Sequence, residues 1–136
     1  MAQPMRRIAV AALTLLLTLV VAGAAQAAPS LSTSNRLDDR RYVESGSRGY
    51  VVGSEAGRFP ASGWHIRGEM GGVWAPPLKL LDGIWFGIDG DWIGPATKFT
   101  SGSGYAQMDL PGPKGLSVQR TDFVPGDSRG VLIGLR

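Results

Sequence analysis

Glycine and proline interrupt this chain so often after residue 27 that a long helix cannot form there. All but Gly23 of the 20 glycines and all but Pro4 of the nine prolines lie in residues 28–136. The runs between these turn residues are short, and none carries a sustained helical period. Short alternating or apolar runs separated by turn residues are typical of strands, so the pattern predicts an all-β fold.

The turns also predict the order in which the strands pair. Proline presets φ and glycine accepts positive φ, which makes "PGPKG" at 111–115 and "PGDSRG" at 125–130 strong turn sequences. Consecutive strands joined by such turns form an antiparallel meander, and this predicts a β-sandwich. The candidate strands are residues 48–53, 84–88, 91–93, 96–100, 105–110, 116–124 and 131–135.

One candidate strand alternates poorly. Arg120 and Asp122 fall on the same face as Leu116 and Val118, which should point into the core. A bulge in residues 116–124 would turn the two charged side chains away, and we therefore expect one there.

The pair Asp89-Gly90 lies between two alternating segments and predicts a two-residue hairpin turn. In that register Gly87 faces Trp92, and Trp92 lies over the missing side chain of Gly87, diagonal to Trp85. Two interpretations of the tryptophan pair remain open. The rings fill the space between sheets or dock on a neighbouring domain, or they form a flat platform on which sugar rings stack.

A glycine-rich stretch before this hairpin carries further candidate site residues. His65, Arg67 and Glu69 alternate and would share one face of an extended segment, followed by Trp74 and by Pro76-Pro77, which favours extended backbone. Arg67 and Glu69 either form a weak ion pair that pins the loop, or belong to a polar loop presented to a carbohydrate or to the rim of an active site. Candidate carbohydrate or domain-interface residues are therefore His65, Arg67, Glu69, Trp74, Trp85 and Trp92.

No catalytic or cofactor site is identified. Glycoside hydrolysis needs two carboxylates facing each other, and nothing in the sequence places a partner opposite Glu69. One histidine and no cysteine argue against a zinc site. Asp89-Gly90-Asp91 lacks the glutamate that a calcium loop needs at its twelfth position, which is Thr100. We therefore expect no catalytic residue, no metal and no cofactor.

The first 27 residues predict export. A basic start with Arg6 and Arg7 precedes an apolar run of 14 residues at 8–21, too short to span a bilayer as a helix. Ala25-Gln26-Ala27 fits a signal-peptidase site, so we expect a signal-peptide helix cut after Ala27 and a secreted product that meets the membrane only during export. An uncleaved anchor is the alternative.

The exported part has little net charge. Without Arg6 and Arg7 it holds 12 basic and 11 acidic residues, a net charge of +1, which gives no reason to expect nucleic-acid binding. It divides into an extended lead-in at 28–46 and a sandwich region at 47–136. The apolar final run "VLIGLR" predicts that the sandwich is incomplete at residue 136, with a complete small β-protein as the alternative.

Four segments resemble a known family. "LSTSNRLDDRRYV", "FPASGWHIRGEMGGVWAPPLKLLDGIWFGIDG", "ATKFTSGSGY" and "TDFVPGDSRGVLIGL" are similar to the N-terminal region of secreted actinobacterial glycogen debranching enzyme-like, or six-hairpin, glycosidases. The resemblance spans residues 31–135. It implies a β-sandwich that precedes an (α/α) toroidal catalytic domain, and it implies that the acid and base carboxylates belong to that later domain.

Two hypotheses follow. In the first, the chain is the exported N-terminal β-sandwich portion of a glycoside hydrolase acting on an α-glucan or related polysaccharide, inactive without its catalytic domain. In the second, it is a stand-alone secreted domain that binds carbohydrate or serves in the cell envelope. The expected partners are a polysaccharide or the catalytic domain.

Overall fold

A computed structural model describes residues 28–59 and 70–136, which form an all-β fold with antiparallel sheets. The predicted signal-peptide helix lies outside these residues. The strands are β1 Leu31–Thr33, β2 Arg41–Ser45, β3 Tyr50–Ser54, β4 Gly72–Ala75, β5 Leu78–Leu81, β6 Gly87–Ile88, β7 Asp91–Trp92, β8 Lys98–Gly102, β9 Tyr105–Pro111, β10 Ser117–Phe123 and β11 Leu132–Leu135.

Two sheets and one small hairpin contain all of these strands. The larger sheet has the order β1-β8-β9-β10-β11, the smaller has the order β2-β3-β4-β5, and β6 pairs only with β7. Within each sheet, successive strands are neighbours, apart from β1 on the edge beside β8. The predicted antiparallel meander is thus confirmed, and it occurs twice.

The core lies between the sheets and is built by strict alternation. In β9, Ala106, Met108 and Leu110 are buried, while the residues between them are only half buried. From the smaller sheet, Val51 and Val73 face them in the same cluster. The predicted strand at residues 105–110 is therefore confirmed, and its alternation identifies the inner face of the larger sheet.

The segment at 28–46 is more than a lead-in. It supplies β1 and β2, and Tyr42 of β2 is buried in the core, with its ring 5.6 Å from that of Phe99. The sequence does not reveal these strands, because the serines and arginines of the solvent-facing side make the segment look uniformly polar. The sequence does not predict the hairpin of β4 and β5, because Gly68, Gly71 and Gly72 interrupt the strand pattern there. Its turn residues, Pro76-Pro77, are joined by a cis peptide bond.

The predicted bulge in β10 is wrong. β10 pairs with β9 in one unbroken register from Ser117 to Asp122, whereas a register shift occurs between β4 and β5 at Val73/Trp74. Regular alternation directs Arg120 and Asp122 into the core, and both are fully buried. A bulge is unnecessary because the two charges neutralise each other there.

Asp122 connects the two sheets. Its carboxylate accepts hydrogen bonds from Arg120 Nε at 2.7 Å and from Arg120 Nη2 at 2.5 Å, a bidentate pair within β10. Tyr42 of the smaller sheet donates its hydroxyl to Asp122 Oδ2 at 2.5 Å. Arg120 Nη1 donates to the Gly57 carbonyl at 2.9 Å, beyond the end of β3. We name Tyr42, Arg120 and Asp122 the buried triad.

Some inner-face side chains at the sheet edges remain in contact with solvent. Leu78 and Leu81 of β5 pair with the buried residues Ala75 and Val73, and therefore point to the inner side, yet they are 66% and 49% exposed. Leu135 of β11, opposite Arg120, is 45% exposed. The apolar inner surface of the sandwich thus extends past the point where the opposite sheet covers it.

The buried triad generates a stability prediction. Asp122→Ala leaves the Arg120 guanidinium buried without its carboxylate, so we expect the free energy of unfolding to fall by about 3–5 kcal/mol. Urea unfolding followed by circular dichroism measures this change. The control is Asp127→Ala in an exposed turn, with an expected change below about 0.5 kcal/mol.

Replacing both charged residues tests whether the cost of Asp122→Ala comes from the unpaired Arg120 charge. Arg120→Met combined with Asp122→Leu removes the ion pair without stranding either charge, and we expect it to be clearly more stable than Asp122→Ala alone. A loss below about 1 kcal/mol in Asp122→Ala would contradict the role given to the triad.

Candidate functional site

The hairpin of β6 and β7 forms with the predicted turn and register. Gly87 pairs with Trp92 and Ile88 with Asp91, and Ile93 N donates to Phe86 O at 3.0 Å. The turn residues Asp89 and Gly90 have φ of 52° and 86°, positive values that the favoured two-residue hairpin turn requires. Their identities explain the tight turn, because aspartate tolerates positive φ and glycine adopts it freely.

The two faces of this hairpin have opposite surroundings. Ile84, Ile88 and Ile93 pack against the core, as the register predicts. Trp85 and Trp92 lie on the other face and are 65% and 75% exposed. The interpretation that these rings fill the space between the sheets is therefore wrong, because the isoleucines already occupy the buried side.

Trp92 is held close to the backbone of its partner strand. A methyl group placed on Gly87 would come 3.6 Å from Trp92 Cε3 and 3.0 Å from Asp91 O. The indole ring therefore lies over the position of the missing side chain, as predicted. A close backbone contact of this kind limits the orientations that an otherwise exposed ring can take.

A pocket of about 160 Å³ opens beside the two tryptophans. The charged residues that line it are Arg58 and Arg120. No carboxylate is among the described residues of the lining. The remaining lining is mostly apolar, which is usual for ligand sites. The lining residues are Ala56, Gly57, Arg58, Ile84, Trp85, Phe86, Trp92, Ile93, Gly94, Pro95, Leu110 and Arg120.

Arg120 belongs both to the buried triad and to the pocket. Its guanidinium carbon lies 5.1 Å from the centroid of the Phe59 ring and 5.6 Å from that of Phe86. These distances fit cation–π contacts with both rings. The contacts fix the guanidinium at the pocket floor, where Asp122 compensates its charge from the core side.

Burial changes the acid–base properties around the triad. Loss of solvent contact raises the pKa of the Tyr42 phenol far above its ordinary value, and the neighbouring Asp122 charge raises it further. Burial also raises the pKa of the Glu44 carboxyl, again with a contribution from Asp122. Both groups therefore favour the protonated form more strongly than in water.

The other predicted site residues are not brought to this pocket. Trp74 is half buried on β4, stacks on Tyr50 at 6.0 Å between ring centroids, and donates from Nε1 to Met70 O at 3.1 Å. It is not among the described residues that line the pocket. His65, Arg67 and Glu69 lie outside the described residues.

Residues 28–59 and 70–136 hold neither a metal cluster nor a membrane-spanning helix. No group of three or more potential ligand side chains there is arranged to hold a metal ion, and Asp89 forms an ion pair with Lys114 Nζ at 3.2 Å. In the same two segments, no helix is long and apolar enough to cross a membrane.

Sequence reasoning did not identify the arginines of the pocket. Arg120 was noticed as a charge on an apolar face, and the alternation of Val118, Arg120 and Asp122 was the signal that could have placed it inside. Arg58 follows β3 in a short turn and has no comparable signal. Phe86 lies opposite Ile93 in the hairpin, and its ring contacts the Arg120 guanidinium.

No protein-family model, no curated protein and no solved structure matches this chain. The resemblance to glycogen debranching enzyme-like glycosidases therefore remains a prediction from the sequence. The structure contributes three features to a functional proposal, namely the sandwich, the exposed tryptophans and the pocket.

The hairpin turn generates a second prediction. Gly90 has φ of 86° and open space around it, so Gly90→Ala adds no clash but strains the backbone. We expect the free energy of unfolding to fall by about 1–2 kcal/mol. Gly134→Ala is the matched control, because that glycine lies in β11 with equally open space and no positive φ. Equal stability of the two variants in urea unfolding would contradict this account.

The raised pKa of Tyr42 generates a third prediction. The folded state keeps the phenol protonated, whereas the unfolded chain releases the proton near pH 10. The contribution of Tyr42 to the free energy of unfolding is therefore fully present below pH 10. Above pH 10 this contribution falls by up to about 1.4 kcal/mol per pH unit.

Comparison with Tyr42→Phe isolates this contribution. The variant should be less stable at neutral pH, since it lacks the hydrogen bond to Asp122, but its stability should fall less steeply above pH 10. Urea unfolding between pH 8 and pH 11 measures both curves, and Tyr105→Phe should follow the unmodified protein. Parallel curves for Tyr42→Phe and the unmodified protein would disprove the assignment.

Proposed function

We propose that this chain is the exported N-terminal β-sandwich portion of a glycoside hydrolase that acts on an α-glucan or related polysaccharide. In this proposal the sandwich has no hydrolase activity of its own, and the surface around Trp85 and Trp92 contacts the polysaccharide beside the catalytic cleft.

The exposure of Trp85 and Trp92 is the observation that carries the proposal. Two large aromatic rings project from one face of a hairpin whose other face packs against the core. Tryptophan is costly to leave in water, and exposed apolar groups beside a pocket are characteristic of interaction sites. The flat apolar rings suit the apolar faces of sugar rings.

The charges in the pocket support the absence of catalysis in this part of the protein. Glycoside hydrolysis requires an acid and a second carboxylate on opposite sides of the glycosidic bond. The described lining of the pocket has two arginines and no carboxylate. The pocket is therefore better suited to holding a saccharide than to cleaving it.

The uncovered inner side chains at the sheet edges support attachment to further protein. Leu78, Leu81 and Leu135 point to the core side of their sheets and remain accessible. Additional polypeptide packed there would remove this apolar surface from water at about 25 cal/mol per Å². Such packing agrees with a sandwich that supports a catalytic domain.

A stand-alone carbohydrate-binding or envelope domain is the second candidate, and the same tryptophan surface favours it. Only the first candidate requires a catalytic domain in addition to the sandwich. They share the expectation that the chain binds saccharide through Trp85 and Trp92.

Calorimetric titration of the chain with maltooligosaccharides tests this shared expectation. We expect binding at millimolar or lower concentration, and we expect Trp85→Ala and Trp92→Ala each to weaken it about tenfold, equivalent to about 1.4 kcal/mol. Trp74→Phe is the matched control, because it alters a tryptophan outside the pocket and should leave the affinity unchanged. Release of reducing ends should not exceed the background rate.

Two outcomes would contradict the proposal. A folded chain that gives no heat with millimolar sugar does not use this surface for saccharides. Hydrolysis by this chain alone, retained after repeated purification, would place a catalytic pair within it.

A further inference from the structure

One donor at the floor of the pocket lacks an acceptor among the described residues. Arginine carries five N–H groups, and Arg120 uses four of them. Nε and Nη2 donate to Asp122, Nη2 also donates to Tyr42 Oη at 3.3 Å, and Nη1 donates to Gly57 O. The fifth N–H, the second on Nη1, has no acceptor among these residues, on a side chain that is 2% exposed.

This donor belongs to a residue of the pocket lining. Nη1 donates a hydrogen bond to the Gly57 carbonyl, and both Gly57 and Arg120 line the pocket. The Phe59 and Phe86 rings hold the guanidinium in place, so the donor is fixed before any ligand arrives. A fixed donor discriminates well between ligands, because little ordering is needed on binding.

Arg58 adds a positive charge to the same lining. Its side chain is more than half exposed, and its nearest carboxylate among the described residues is Asp38, with Nη1 at 3.7 Å from Oδ1. That separation is longer than a hydrogen bond, so the Arg58 donors can turn to another acceptor. Asp122 already neutralises Arg120, and the net attraction for an anion therefore comes from Arg58.

These groups together specify the charge of the ligand. We propose that the pocket binds an anionic saccharide, with the sugar ring against Trp85 and Trp92 and its carboxylate near Arg58 and the free N–H of Arg120. This inference rests on the proposed carbohydrate-binding function and adds to it a preference for acidic over neutral saccharides, because an acidic sugar carries the negative charge that the pocket lacks.

Two ligands with the same sugar rings and linkage, one charged and one neutral, provide the test. The charged ligand is tetragalacturonate. The neutral ligand is its methyl ester, in which every carboxylate is esterified. By calorimetry of the full chain, we expect tetragalacturonate to bind about two- to fivefold more tightly than its methyl ester, as an exposed charge contact allows. Added salt should reduce the preference.

Variants of Arg58 identify the group responsible. Arg58→Gln should abolish the preference for the charged ligand, whereas Arg58→Lys keeps the charge and should retain most of it. Arg48→Gln removes another exposed arginine outside the pocket and should have no effect. A preference that survives Arg58→Gln would overturn the placement of the carboxylate.

Maltotetraose separates failure of this inference from failure of the proposed function. If maltotetraose and the methyl ester bind as tightly as tetragalacturonate, the pocket does not select an anion, but the tryptophan surface still binds saccharide. If none of the three binds a folded chain, both the inference and the proposed function are wrong.

Discussion

The Asp122 carboxylate is the group on which the rest of this structure depends. It accepts two hydrogen bonds from Arg120 in its own strand and one from Tyr42 in the opposite sheet. A charge placed between two sheets is costly unless it is paired and fully hydrogen-bonded, so the three side chains require one another. This requirement fixes how β2 lies against β10 more specifically than apolar contacts could.

Arg120 carries that constraint from the core to the surface. The guanidinium of Arg120 forms hydrogen bonds with Asp122 in the core. It also contacts the rings of Phe59 and Phe86, which lie beside the pocket. Arg120 is therefore a residue of the core and of the pocket lining at the same time. Loss of the triad should therefore disturb the pocket as well as the packing of the sheets.

The hairpin of β6 and β7 shows how far local sequence can determine a functional surface. Asp89-Gly90 sets the turn, the turn sets the register, and the register separates the isoleucines from the tryptophans. The side of the hairpin that faces the core follows from the isoleucines alone. What the sequence could not establish was that Trp85 and Trp92 are exposed, because exposure depends on strands distant in the chain.

The sequence by itself determined the all-β class, most strand positions after residue 47, the turn at Asp89-Gly90 and the two-faced character of its hairpin. These features depend on turn residues and on alternation between neighbours, which are local. The tertiary structure alone decided that β1 and β2 join the sheets, that Arg120 and Asp122 enter the core, and that Arg58 and Arg120 meet the tryptophans at one pocket. Those outcomes depend on a partner for a buried charge, and Tyr42, 80 positions away from Asp122, becomes that partner only when the sheets pack.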